Sequence, residues 1–173
     1  MEPLIITAVG PDRPGLVDEL TKLLLDAGSN VADSRMVNLR GQFALLMLAE
    51  VEGGRGDEIG RLLADAADRL GLAIQCAPQA APSAAAEGVP MRLRTYAMDQ
   101  PGIVHRVTHV LHEHRVNIEQ LHTQLEAGAH SGTPLFTMEL AMTVPATVPI
   151  RELRATLDEL CDELNCDFEL TRG

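Results

Sequence analysis

Asp12-Arg13-Pro14-Gly15-Leu16-Val17 and Asp99-Gln100-Pro101-Gly102-Ile103-Val104 are two versions of one hexapeptide, 87 residues apart. Each joins a carboxylate to a Pro-Gly turn and the start of an apolar run. Polar turn residues ahead of such a run read as the start of a helix. The first N–H groups of a helix lack partners within it, and the helix dipole favours an anion there. Gly15 and Gly102 carry no side chain, so a ligand can approach the backbone. Asp12 and Asp99 can accept hydrogen bonds from an ammonium group. Asn30 and Asn117 open the strand after each helix, where they are expected beside the loop, and an amide both donates and accepts. A free α-amino acid carries one carboxylate and one ammonium, and this set of groups complements it. The same residue types also serve plain structure, as helix cap, turn and strand start. Repetition of Asp, Pro, Gly and Asn shifts the balance towards binding, although shared ancestry alone would also retain them.

The 87-residue offset holds beyond the loop. Thr21 recurs as Thr108, Leu24 as Leu111 and Asn30 as Asn117; Leu20, Leu23 and Val31 become Val107, Val110 and Ile118. A repeated core pattern implies two copies of one domain.

Several elements must position these loops. Leu4 to Val9 reads as a strand, and Pro14 suits the first turn of a helix carrying Leu16, Leu20, Leu23, Leu24 and Ala27, stopped at Gly28. Val31 to Leu39 and Phe43 to Val51 read as a hairpin turned at Arg40-Gly41. After a loop at residues 53–56, Asp57 caps a helix bearing Ile59, Leu62, Leu63, Ala66 and Leu70, and Leu72 to Ala77 closes the copy. The second copy repeats the order: strand Leu93 to Met98; helix with Ile103, Val104, Val107, Val110 and Leu111; strands Asn117 to Glu126 and Leu135 to Val144 around a polar loop at 127–133; helix with Ile150, Leu153, Leu157, Leu160 and Leu164; strand Cys166 to Thr171. The order βαββαβ predicts an α+β fold, two tandem ferredoxin-like domains, each a four-stranded antiparallel sheet with both helices on one face. The expected domains are residues 1–77 and 91–173. Residues 78–90, rich in Ala and Pro, are the expected linker.

On the strand Phe43 to Val51, Ala44, Leu46 and Leu48 alternate with Phe43, Leu45 and Met47, so both faces are apolar. A sheet covered on one side should alternate apolar and polar. The bare face is therefore expected to be covered by another domain or subunit, as in a homo-oligomer.

Composition narrows the function. Net charge is −11 over 173 residues, divided −5 and −6 between residues 1–86 and 87–173. No basic stripe stands ready to replace phosphate counterions, which argues against direct nucleic-acid binding. Hydrophobic residues make up 46%, aromatics only 2%, and Trp is absent, so the core must be aliphatic. Cys76, Cys161 and Cys166 form no metal-binding spacing and read as reduced thiols. No leader or membrane span is legible, so a cytoplasmic protein is expected.

Other chemistry is weaker. His105, His109 and His112 share one helix face and could offer zinc two or three ligands with Glu113 or His122; the plainer reading is a solvated face. Residues 53–56 resemble a phosphate loop but lack its Lys-Ser/Thr. Cys161 and Cys166 can meet across the end of the last helix, yet no base accompanies them. No cofactor is expected, and the enzyme reading finds no nucleophile or acid–base pair.

The order βαββαβ, with Asp-x-Pro-Gly-Leu/Ile-Val and then Asn-Val/Ile eighteen residues after the Asp, resembles the ACT domain, a family of regulatory amino-acid-binding modules. The resemblance covers nearly the whole chain. A chain of two such domains opening Thr7-Ala8-Val9-Gly10-Pro11-Asp12-Arg13-Pro14-Gly15 resembles the glycine cleavage system transcriptional repressor group. The resemblance implies side-by-side pairing of domains, with an amino acid such as glycine bound at the interface near the loop. By motif position it assigns Asp12, Arg13, Pro14, Gly15, Leu16, Val17, Asn30 and Val31 to one site, and Asp99, Gln100, Pro101, Gly102, Ile103, Val104, Asn117 and Ile118 to the other. It further implies transcriptional regulation through a partner activator rather than contact with DNA. The alternative is a regulatory subunit or interaction module of an amino-acid biosynthetic enzyme with vestigial sites. The copies also differ: Arg13 becomes Gln100, Gly28 becomes Arg115, and the second hairpin loop is longer, so one copy alone could bind.

Overall fold

Alternation builds the first strand, β1 (Glu2–Pro11): Leu4, Ile6 and Ala8 are buried, while Ile5, Thr7 and Val9 face the other way. Helix α1 (Leu16–Asp26) follows, with Leu16, Leu20 and Leu24 buried at four-residue spacing. Strands β2 (Asn30–Leu39) and β3 (Gln42–Val51) form a hairpin. Its turn falls at Arg40 and Gly41, both at positive φ (51° and 85°), the geometry a two-residue hairpin loop needs. Helix α2 (Gly56–Leu70) buries Ile59, Leu63, Ala66 and Leu70, and β4 (Ala73–Pro78) completes the set.

The same order returns as β5 (Gly88–Met98), α3 (Ile103–Glu113), β6 (Asn117–Ala127), β7 (Pro134–Pro145), α4 (Ile150–Leu164) and β8 (Cys166–Arg172). This computed structural model describes residues 1–80, 87–127 and 134–173. The chain divides into unit 1, Met1–Ser83, and unit 2, Ala84–Gly173. Each holds one antiparallel four-stranded sheet, ordered β2-β3-β1-β4 and β6-β7-β5-β8. Each has its own core, gathered between one sheet face and its two helices; it is mainly aliphatic, but against the expectation Phe43 is fully buried in unit 1, and Phe136 and Phe168 pack against the core of unit 2. Both β2 and β6 carry a bulge at the same place, between Val31 and Asp33 and between Ile118 and Gln120.

Some expectations need adjusting. Pro14 and Gly15 lie in the turn before α1, because the helix cannot start until Gly15 has passed through φ 91°. Asp57 does not cap α2: Arg55 holds that position without a side-chain cap, and Asp57 lies in the first turn. The segment 78–90 is strand at both ends, with Pro78 in β4 and residues 88–90 in β5. The polar hairpin loop at 127–133 lies outside the described residues beyond Ala127.

Direction along the sheet decides what meets the loop. Pro11, at the end of β1, pairs with Gln42, which also pairs with Leu39 at the end of β2. The hairpin tip therefore lies beside the Asp12 loop. Asn30 pairs with Glu50, which pairs with Pro3 at the opposite end of the sheet.

Candidate functional site

In unit 1 the loop between β1 and α1 borders a depression of about 430 Å³, lined by Asp12, Arg13, Pro14, Gly15, Leu16, Val17, Asp18, Met36 and Phe43. Asp12 is held from two sides. Its N–H donates to Gly41 O at 2.9 Å, and Asn38 Nδ2 donates to its carboxylate. Asn38 is fixed in turn, its Oδ1 accepting from Gly41 N–H at 3.1 Å. The carboxylate is thus positioned by the hairpin rather than spent on capping the helix. Gly15 is the cap residue of α1, and no side chain caps its first N–H groups. A Cβ on Gly15 would meet only Glu19 Oε1, at 3.6 Å, so glycine is required by φ rather than by crowding.

Arg13 points along the helix and not into the open. Its Nη1 donates to Glu19 Oε1 at 2.6 Å and to Pro14 O at 3.3 Å. This hydrogen bond holds the Glu19 carboxyl below the usual carboxylate range and raises Arg13. Leu16 is a core anchor, 1% exposed, whereas Val17 is 43% exposed at the mouth.

Unit 2 keeps the backbone and changes the side chains. Gly102 starts α3 at φ 97°, again with no side-chain cap, and a Cβ there would meet nothing within 4 Å. Asp99 N–H donates to Pro134 O at 3.3 Å. Gln100 Nε2 donates to Leu164 O at 2.6 Å, satisfying a carbonyl that the end of α4 leaves open. Ile103 is buried and Val104 is 36% exposed.

Asn30, Val31, Asn117 and Ile118 do not join these loops within their own units. Helix α1 carries the chain back across the sheet before β2 begins, so Asn30 stands at the far end. Val31 and Ile118 pack against the cores. Sequence reasoning missed Asn38, Met36 and Phe43. The hairpin register held the signal, since Asn38 and Gly10 both pair with Phe43. Leu125 takes the place of Asn38 in unit 2.

The remaining groups show little chemistry. His105 and His109 stack with ring centroids 5.9 Å apart, and His109 lies 3.6 Å from Glu113. Among the described residues no three His, Cys, Asp or Glu side chains converge on a metal position. Cys76, Cys161 and Cys166 are free thiols. Burial, followed by contact with Cys166, pushes the Cys161 thiol well above its ordinary range, which keeps it protonated and poorly nucleophilic. A larger groove of about 640 Å³ runs between α2 and β4, past Gly60 and Cys76 and away from the loop. Unit 2 has Arg154 and Leu170 at those places, and Arg154 donates to Leu170 O. No helix among the described residues is long and apolar enough to cross a membrane.

Residues 2–77 match the family model of the ACT domain. Unit 2 repeats their element order and sheet topology, so the chain holds this fold twice. Across nearly its whole length it is similar to the glycine cleavage system transcriptional repressor of Escherichia coli (strain K12). The two are 25% identical over 162 residues, 94% of this chain and 85% of that protein. The repressor of Shigella flexneri matches to the same extent. Among solved structures, an unknown protein from Galdieria sulphuraria has a TM-score of 0.88 at 26% identity, covering 99% of this chain and 98% of that one.

Proposed function

We propose that this chain is a non-enzymatic, amino-acid-binding regulator that modulates transcription of glycine and one-carbon metabolism through a partner regulatory protein. One observation carries the reading. At Gly15 and again at Gly102 a helix starts with no side-chain cap, one turn from a loop aspartate. The ligand carboxylate takes the open N–H groups of residues 16–18 or 103–105, and its ammonium takes Asp12 or Asp99. The depression of about 430 Å³ at the unit 1 loop has ample room for an amino acid such as glycine. Similarity to the glycine cleavage repressors supports the metabolic assignment, and the evenly spread acidity supports action through a protein partner rather than DNA.

The far position of Asn30 fits a paired arrangement. β2 is an edge strand. Antiparallel pairing of that edge with β2 of a second copy sets the start of one strand beside the end of the other. Asn30 of one copy then approaches the Asp12 loop of its neighbour, and Asn117 does the same through β6.

A thermal-shift panel of the twenty amino acids tests the reading. A ligand at 100 times its Kd stabilises by about 2.7 kcal/mol. One or two small amino acids should raise the midpoint, with the shift reduced in Asp12→Ala and Asp99→Ala. No shift from any of them contradicts ligand sensing. It would favour the second reading, an interaction module of an amino-acid biosynthetic enzyme, which draws on the apolar outer face of the unit 1 sheet. Co-purification with a metabolic enzyme rather than a transcriptional regulator would then separate the two.

A further inference from the structure

The outer faces of the two sheets differ in kind. In unit 1, Ile5, Val9, Val37, Leu39, Leu46 and Leu48 share the face turned away from the helices. Val9, Val37, Leu39 and Leu46 are each about half exposed or more, from 49% to 64%. In unit 2 four of the six equivalent positions are charged or amide residues: Arg92 replaces Ile5, Gln124 replaces Val37, Glu126 replaces Leu39 and Glu139 replaces Leu46, while Tyr96 and Ala141 stand for Val9 and Leu48. One fold therefore appears twice in the chain, once with a solvated outer face and once with an apolar one. Exposed apolar surface of this extent marks an association site.

We propose that the outer face of the unit 1 sheet is a self-association surface, and that its partner is the same face of a second copy of this chain. The charges on the face select this occupant. Asp33 and Arg35 stand two residues apart on β2, with Arg35 Nη1 2.7 Å from Asp33 Oδ1. Place a twofold axis between two stacked sheets, across the strands, midway between Asp33 and Arg35. Arg35 of each copy then faces Asp33 of the other. The same axis crosses β3 between Leu46 and Leu48, setting each of these leucines against the other from the partner. It crosses β1 between Ile5 and Thr7, level with that row. These points lie within one residue of the midpoints of all three strands, so charge matching and near-complete overlap of the faces call for the same axis.

The area is sufficient. Three ten-residue strands of about 33 Å and the six-residue β4 of about 20 Å, spaced about 4.8 Å apart, give roughly 570 Å² of face per copy. Two such faces bury about 1,100 Å², which clears the roughly 1,000 Å² a biological interface needs. Sheets stacked this way pack about 10 Å apart through interdigitated side chains. The surface is independent of the ligand loops, so its failure would leave the amino-acid reading standing.

Sedimentation velocity on the full chain tests the proposal, with folding checked by circular dichroism. Leu46→Glu installs the residue that unit 2 carries at the same place, and it should halve the mass of the wild-type assembly. Arg35→Asp makes the face doubly acidic and Asp33→Arg makes it doubly basic. Each alone should weaken self-association about tenfold or more, and mixing the two should restore it as a mixed assembly. The proposal is overturned if wild type is monomeric at tens of micromolar, if Leu46→Glu folds and keeps the wild-type mass, or if the two charge variants fail to associate on mixing. The mixing experiment decides should Leu46→Glu not fold.

Discussion

Glu19 and Arg106 occupy the same position in the two copies, one turn inside the first helix, and carry opposite charges. Their partners on the second helix are reversed as well. Arg69 Nη1 lies 3.4 Å from Glu19 Oε2, and Arg106 pairs with Glu163. The link between the two helices of each unit is thus kept while its polarity is inverted. The inversion follows the loops. In unit 1 Glu19 also takes the charge of Arg13; in unit 2 the neutral Gln100 needs no such partner and bonds to the end of α4.

These pairs are exposed, and such pairs contribute little once salt screens them. Glu19→Gln should leave the thermal midpoint nearly unchanged at neutral pH. The Glu19 carboxyl is lowered in the folded chain, so whatever it contributes is present above its unfolded value and lost as pH falls through the folded one. Melting curves of wild type and Glu19→Gln should converge in acid. A difference that grows as the pH drops would contradict this assignment.

Arg115 carries a conformational cost that Gly28 avoids. Both residues follow the helix cap in the left-handed region, at φ 55° and 74°. Both precede the same closing bond, Val116 N–H to Leu111 O at 2.9 Å and Ser29 N–H to Leu24 O at 2.8 Å. Arg115→Gly should stabilise unit 2 by about 0.5–1 kcal/mol, and Gly28→Ala should destabilise unit 1 by about 1 kcal/mol. A Cβ at Gly28 has room, meeting Arg55 Nη1 at 3.7 Å, so the cost is backbone strain. Urea titrations would show both.

Thr95 is fully buried in β5, and its hydroxyl has no hydrogen-bond partner among the described residues. Ala8 takes the same place in unit 1. Thr95→Val keeps the shape and removes the unpaired group, so stability should rise by about 1–2 kcal/mol. A loss on chemical denaturation would mean that the hydroxyl is satisfied.

Asn38 positions Asp12 and has no counterpart in unit 2. Asn38→Leu, the residue found at 125, should weaken amino-acid binding at the unit 1 loop about tenfold by freeing the carboxylate, at little cost to stability. Calorimetry should show the unit 2 event unchanged.

Much of this was legible in the sequence because it is local or repeated. The 87-residue echo gave two copies, the four-residue spacing of Leu16, Leu20 and Leu24 gave a helix, and Arg40-Gly41 gave the hairpin tip. What was not legible depends on direction across the sheet. Proximity in sequence suggested that Asn30 lies near the loop, but an eleven-residue helix spans the sheet and delivers it to the far end. Asn38, 26 residues beyond Asp12, reaches the loop only through antiparallel register. The cap at Asp57 failed for a smaller reason: Arg55 reaches back to Ala27 O at 3.0 Å and pairs with Glu58, and α2 starts from that anchored residue.

The most direct measurement is isothermal titration calorimetry of the amino acid found by the panel into wild type, Asp12→Ala, Asp99→Ala and the double variant. Two sites per chain are expected in wild type, one in each single variant and none in the double variant. Unchanged stoichiometry and affinity in the double variant would contradict binding at the two loops.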